Sequence, residues 1–198
     1  RDTDRSRGLG DVYKRQGLFS MMKMFPVIIA LIFTPILVKK TGSMQKVNFW
    51  GYVISDILGI FLIIFAMQKN LPMMLLFMFL KGTFAGTMSG TLNALIAEIS
   101  GYTYRTKGVH IDGMMFSCSS LGVKVGGGIG TAAVGWLLHA AGYAGKAATQ
   151  TAAATNMIFS MYITIPVILG VVITILLGLM KVEKENKRID MERAEQAD

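Results

Sequence analysis

Five apolar runs, at residues 21–38, 48–68, 72–97, 113–140 and 156–180, set what this chain can fold into. An α-helix rises about 1.5 Å per residue, so runs of this length cross a hydrocarbon layer about 30 Å thick, some of them tilted. A soluble helical bundle needs a polar stripe on each helix, and these runs have none. Only 16% of the 198 residues are charged, against roughly 25% in soluble domains, and the mean hydropathy is +0.51. The chain is therefore read as an all-α membrane protein with five transmembrane helices.

Basic residues in the connections orient the spans. Lys39, Lys40 and Lys46 lie in the first connection, Arg105 and Lys107 in a short basic loop at the third, and five lysines and arginines in the tail from Lys181. The alternate connections carry one each, Lys69 and Lys146. This bias predicts a multi-pass protein of the cytoplasmic membrane, embedded in lipid, with a charged cytoplasmic tail at residues 182–198. The tail mixes charges at helical spacing, as in Glu183 and Lys187, and reads as a solvated helical extension. Residues 140–155, rich in Ala, Gly and Thr, read as a structureless connection.

Composition excludes several classes of function. A net charge of +8 sits in the tails and loops, with no basic patch interleaved with aromatics, so nucleic acid is not an expected partner. Cys118 is the single cysteine, which rules out an internal disulfide, and no Cys/His spacing suits zinc. No nucleophile elbow or acid–base cluster points to an enzyme. Gly126-Gly127-Gly128-Ile129-Gly130 lacks the Lys-Ser/Thr of a phosphate loop. It continues a helical-spacing stripe, Gly122, Gly126 and Gly130, matched by Gly82, Gly86 and Gly90 in the third run. Such stripes let helices pack closely.

Three ionisable residues fall deep in the apolar runs: Asp56, Lys81 and Lys124. Lys124 lies about twelve residues into its helix, roughly 17 Å deep. A lysine at that depth costs about 2.5–3.5 kcal/mol on insertion scales, so it should face protein, a counter-charge or a water-filled cavity. Asp56 and Lys81 fall at similar depths, which permits a midplane cluster of the kind secondary transporters use. For these two, a pair that only neutralises buried charge and a part of a transport pathway are both open readings.

The stretch from Ala94 to Gly130 also carries a family resemblance. Ala97-Glu98, Gly101-Tyr102, His110-Ile111-Asp112-Gly113, Phe116-Ser117 and Lys124-Val125-Gly126-Gly127 follow in the order and spacing of the C-terminal half of the glycoside–pentoside–hexuronide:cation symporters. That is the melibiose permease-like family of the major facilitator superfamily. The chain departs from the pattern at Glu98 (usually aspartate), Gly101 (usually an acid) and His110 (usually arginine). Ser89, Ser119 and Ser120 stand where the family places a tryptophan and a Gln-Thr pair.

The resemblance implies a fold and a function. Its five helices would be the last five of a twelve-helix facilitator fold, residues 17–181. The function implied is cation-coupled symport of sugars or glycosides by alternating access. It places Lys124, with Ser119 and Ser120, on the substrate and cation pathway, which Asp56 and Lys81 would join. Glu98, Arg105, His110 and Asp112 would form a cytoplasmic salt-bridge gate, although ordinary juxtamembrane charge also accounts for them. No cofactor is implied beyond a coupling cation such as sodium or a proton, held mainly by the N-terminal half of the same protein. That missing half is an expected partner, with a small-molecule sugar or glycoside as substrate. Alternatives are a stand-alone membrane scaffold or assembly protein, and a facilitator of a non-sugar solute.

Residues 1–16 look foreign to this pattern. Asp11–Gln16, DVYKRQ, back-translates to GATGTGTATAAGAGACAG, similar to the end of a sequencing-library transposon adapter. The segment is expected to be non-native, and the chain a partial sequence starting near Gly17.

Overall fold

Each apolar run forms a helix, and local capping explains where most of them start. A computed structural model describes residues 21, 24–145 and 150–195. The expected foreign segment at residues 1–16 lies outside the described residues. Helix α1 spans Met24–Thr41. It ends on Gly42, whose φ of +64° is the left-handed conformation that glycine adopts without a Cβ penalty. The Ser43 hydroxyl then accepts from the Lys46 backbone N–H at 3.1 Å and caps α2, Met44–Met67. Asn70 caps α3, Leu71–Ala85, with Pro72 in the first turn, where no N–H is needed.

Helix α4, Thr87–Lys107, follows α3 after a turn at Gly86, and together they make a 37-residue span. The span is about 55 Å long, well beyond a hydrocarbon layer of about 30 Å. Arg105 and Lys107, expected in a loop, are instead helical and occupy its last turn. The connection to the next helix is correspondingly short. Helix α5 is Asp112–Ala140.

The last span, Ala152–Glu195, has three parts. Thr151 caps α6, Ala152–Phe159, so the helix starts inside the stretch read as structureless. A π-helical turn, Ser160–Thr164, leads into α7, Ile165–Leu179. Pro166 explains the turn: it has no N–H for the carbonyl four residues back, and the register widens until Ile165 donates to the Ser160 carbonyl. Extended backbone at Met180, ψ 130°, separates α7 from α8, Val182–Glu195. Among the described residues there is no strand, and five helices are long and apolar enough to cross a membrane.

The chain divides into two compact units, residues 1–91 and 92–198. In the first, the stripe of Gly82, Gly86 and Gly90 lies against α1, as its spacing predicts. A Cβ built on Gly86 would stand 2.7 Å from the Cβ of Ala30, and one on Gly82 3.1 Å from that of Pro26. Gly51 brings α2 equally close to the α3–α4 turn, where a Cβ would fall 2.9 Å from the Phe84 carbonyl oxygen. Phe77 of α3 stacks on Phe61 and Phe65 of α2.

The second unit is more open. No residue of α5 is buried, and the second stripe, Gly122, Gly126 and Gly130, meets nothing within 4 Å among the described residues. The close packing expected of that stripe is therefore absent there.

Candidate functional site

Lys124 and Ser120 are four residues apart on α5, on one helix face. With Phe116, Ser117 and Leu121 they line a groove of about 420 Å³. Lys124 is exposed. Ser119, half-buried, sits one residue round the helix and does not line it. Ser117 was not singled out as a site residue by sequence. Its i, i+3 and i+7 relation to Ser120 and Lys124 is the signal that finds it.

The first unit holds a separate polar face. Asn48, Ser55 and Asp56 are buried on α2, at 0%, 1% and 8% exposure. Lys81 of α3 is half-buried and within electrostatic range of Asp56. The structure thus places within electrostatic range of one another the two groups whose pairing the sequence left open. It adds a contact that sequence reading missed: Asn48 Nδ2 donates to Thr91 Oγ1 at 2.6 Å. Thr91 in turn donates to the Thr87 carbonyl at 3.2 Å. Asn48 Oδ1 and Ser55 Oγ have no hydrogen-bond partner among the described residues.

The expected gate residues divide into two sets, His110 and Asp112 at the α4–α5 turn and Glu98 and Arg105 along α4. His110 Nδ1 approaches Asp112 Oδ2 at 3.8 Å, and its ring stacks on Tyr104 with centroids 4.0 Å apart. Arg105 turns instead to the tail, pairing through Nη2 with Asp190 Oδ2 at 3.2 Å. Arg193 Nη2 donates to the Arg105 carbonyl at 3.1 Å, and Asn186 Nδ2 to the Glu98 carbonyl at 3.0 Å. Glu183, Lys187 and Arg105 all lie within electrostatic range of the Glu98 carboxylate. Asn186, Asp190 and Arg193 recur at helical spacing, so one face of α8 docks on α4. The tail is helical, as expected, and the face is solvated only in part: Glu183 and Asn186 are buried, while Asp190 and Arg193 stay exposed. Among the described residues no group of three His, Cys, Asp or Glu could hold a metal ion.

These features describe a multi-pass, all-helical membrane protein with polar groups held inside its spans. The sequence profile of the MFS/sugar transport protein family matches residues 9–184, and the chain belongs to that family. The family is one of transporters rather than enzymes. Three curated relatives match it. An uncharacterised 29.9 kDa protein encoded 3′ of crtE in Pseudescherichia vulneris is 27% identical over 132 residues, covering 66% of this chain and 48% of the relative. The isoprimeverose transporter of Lactiplantibacillus pentosus is 28% identical over 157 residues, 79% of this chain and 32% of the relative. A candidate glycoside/cation symporter of Escherichia coli K12, YagG, is 28% identical over 109 residues, 52% of this chain and 24% of the relative. The chain thus spans about half or less of the length of each. No solved structure matches it.

Proposed function

We propose that this chain forms the substrate-binding C-terminal part of a cation-coupled symporter for sugars or glycosides. Its helices correspond to the last five of a twelve-helix facilitator, with the tail on the cytoplasmic side of the cell membrane. The observation that carries this reading is Lys124 with Ser120 and Ser117 on one face of an apolar helix, in a member of a sugar-transport family. The names of two relatives, an isoprimeverose transporter and a candidate glycoside/cation symporter, support the substrate class.

In this reading the serine hydroxyls donate to and accept from sugar hydroxyls, and Lys124 supplies a fixed positive charge that the bound substrate and cation offset. Asp56 and Lys81 form a second charged step in the pathway. Substrate binding stabilises one conformation over the other, and the site is exposed to each side in turn. Glu98, Arg105, His110 and Asp112 close the cytoplasmic side, with α8 holding Arg105. The cation, sodium or a proton, is held mainly by an N-terminal half of the same protein.

The test uses the complete transporter that contains this chain, in proteoliposomes, with a panel of glycosides that includes isoprimeverose. An imposed sodium or proton gradient should drive glycoside uptake. Lys124→Ala should lower it at least about tenfold, the effect of about 1.4 kcal/mol, with the protein folded and expressed. Unchanged uptake by Lys124→Ala, or uptake of non-sugar solutes alone, would overturn the proposal.

A further inference from the structure

A crevice of about 330 Å³ opens in the first unit, away from the groove on α5. Its wall is mainly apolar, formed by Leu37 of α1, Val47, Trp50 and Ile54 of α2, and Phe84 of α3, with Thr41, Gly51 and Thr87 beside them. Lys46 is the charged residue that lines it, and its side chain is exposed. Lys39 and Lys40 end α1 beside it in sequence and are exposed as well. No Asp or Glu occurs between residue 24 and Asp56, so the charge at this end of the α1–α2 hairpin is positive only. Trp50 is 61% exposed, the placement of a tryptophan at a membrane interface rather than in a core.

An apolar slot lined by one lysine, Lys46, selects an amphipath with a hydrocarbon chain and an anionic head. The chain loses contact with water by entering the slot, and the ammonium groups meet the head where the slot reaches the interface. A sugar fits the slot poorly, because most of its hydroxyls would face Leu37, Val47, Ile54 and Phe84 unpaired, and the Thr41 and Thr87 hydroxyls already donate to backbone carbonyls. A neutral lipid would use the wall and leave the lysines without a counter-charge.

We propose that this crevice binds an anionic phospholipid, with an acyl chain along Trp50, Ile54 and Phe84 and its phosphate on Lys46. Lys39 and Lys40 strengthen the attraction at the same end. The proposal requires only that the chain crosses a membrane, so it stands or falls apart from sugar transport.

Trp50 serves as the probe. The chain has two tryptophans, so a Trp136→Phe background isolates the signal. The full chain is placed in vesicles of phosphatidylcholine doped with bromine-labelled phosphatidylglycerol or bromine-labelled phosphatidylcholine of the same acyl chains. Phosphatidylglycerol should reach half-quenching at about a fivefold lower mole fraction, the effect expected of one lysine at an anionic surface. Lys46→Gln should cut the difference to about twofold or less, the remainder being the attraction of Lys39 and Lys40, and Lys46→Arg should keep it; an undiminished difference in Lys46→Gln would overturn the proposal. Equal quenching by the two lipids would overturn the proposal. Quenching by neither would show the crevice covered by protein, and relief of quenching by soluble glycerol phosphate would show a free-phosphate site; either result overturns it too.

Discussion

Asn186 of α8 donates its Nδ2 to the carbonyl of Glu98 on α4 at 3.0 Å, and is 1% exposed while doing so. About two turns further along α4 and one along α8, Arg105 and Asp190 pair at 3.2 Å, with side chains 31% and 53% exposed. The two contacts differ in burial, and burial decides what each contributes. A buried hydrogen bond is worth about 0.5–1.5 kcal/mol net, while an exposed ion pair is worth about 0–1 kcal/mol and is screened by salt.

Asn186→Ala is therefore expected to free α8 more than Asp190→Ala does. Hydrogen exchange followed by mass spectrometry should show amides in Val182–Glu195 exchanging about fivefold faster in Asn186→Ala, as about 1 kcal/mol of local stability is lost. Asp190→Ala should stay within about twofold, with the difference vanishing at high salt. Equal effects of the two would place the docking energy in the ion pair instead.

The two glycine stripes give a second contrast. At Gly86 a Cβ would meet Ala30 at 2.7 Å, whereas at Gly126 it would meet nothing within 4 Å. Gly86→Ala should destabilise the chain in detergent by about 1–3 kcal/mol through overpacking. Gly126→Ala should be neutral or stabilising by up to about 1 kcal/mol, since alanine is the better helix former. Thermal unfolding of the purified variants measures both. Adding Ala30→Gly to Gly86→Ala should recover part of the loss, which ties the effect to that contact.

The polar step between α2 and α4 makes a third. Asn48→Ala removes the 2.6 Å bond to Thr91, and interhelical hydrogen bonds in membranes average about 0.6 kcal/mol. Asn48→Ala should lower the unfolding temperature slightly, and Thr91→Val by a similar amount. The double variant should lose no more than either single one, because both remove the same bond. Asn48→Asp should cost more than any of them, since it buries a charge at a site with 0% exposure.

Which features were legible in the sequence follows from the range of the interactions involved. The five apolar runs report burial in lipid residue by residue, so the five spans could be read without knowing any contact. The stripe of Gly82, Gly86 and Gly90 was legible for the same reason, as spacing along one helix. Its partner, α1, was not. The run from Glu98 to Lys107 has no apolar signal and looked like a loop. Part of that stretch is held in the structure by Asn186, Asp190 and Arg193, 85 or more residues later in the chain. The π-helical turn had a local cue in Pro166, but a proline alone does not distinguish a kink from a widened turn. Asn48 was passed over because a polar residue at the start of an apolar run resembles a helix end. Its 0% exposure and its contact with Thr91, 43 residues away, show it is interior.

The last prediction concerns Asp56 and Lys81, which the structure places together in the first unit. If they only neutralise one another, stability carries their whole effect. Asp56→Asn leaves the Lys81 charge in an apolar span and should destabilise the chain in detergent by about 1–3 kcal/mol, below the 3–5 kcal/mol of a fully buried pair because Lys81 is half-buried. Lys81→Met removes a positive charge within electrostatic range of the buried Asp56 and should cost about as much. The double variant Asp56→Asn/Lys81→Met should regain at least half of the loss, since no unmatched charge remains. In the complete transporter the readout then splits. A neutralising pair predicts uptake restored along with stability in the double variant, while a pathway role predicts a stable protein that does not transport. Because we assign Asp56 and Lys81 to the pathway, the expected outcome is recovered thermal stability with uptake still at least about tenfold below that of the parent; restored uptake would assign the pair to folding alone.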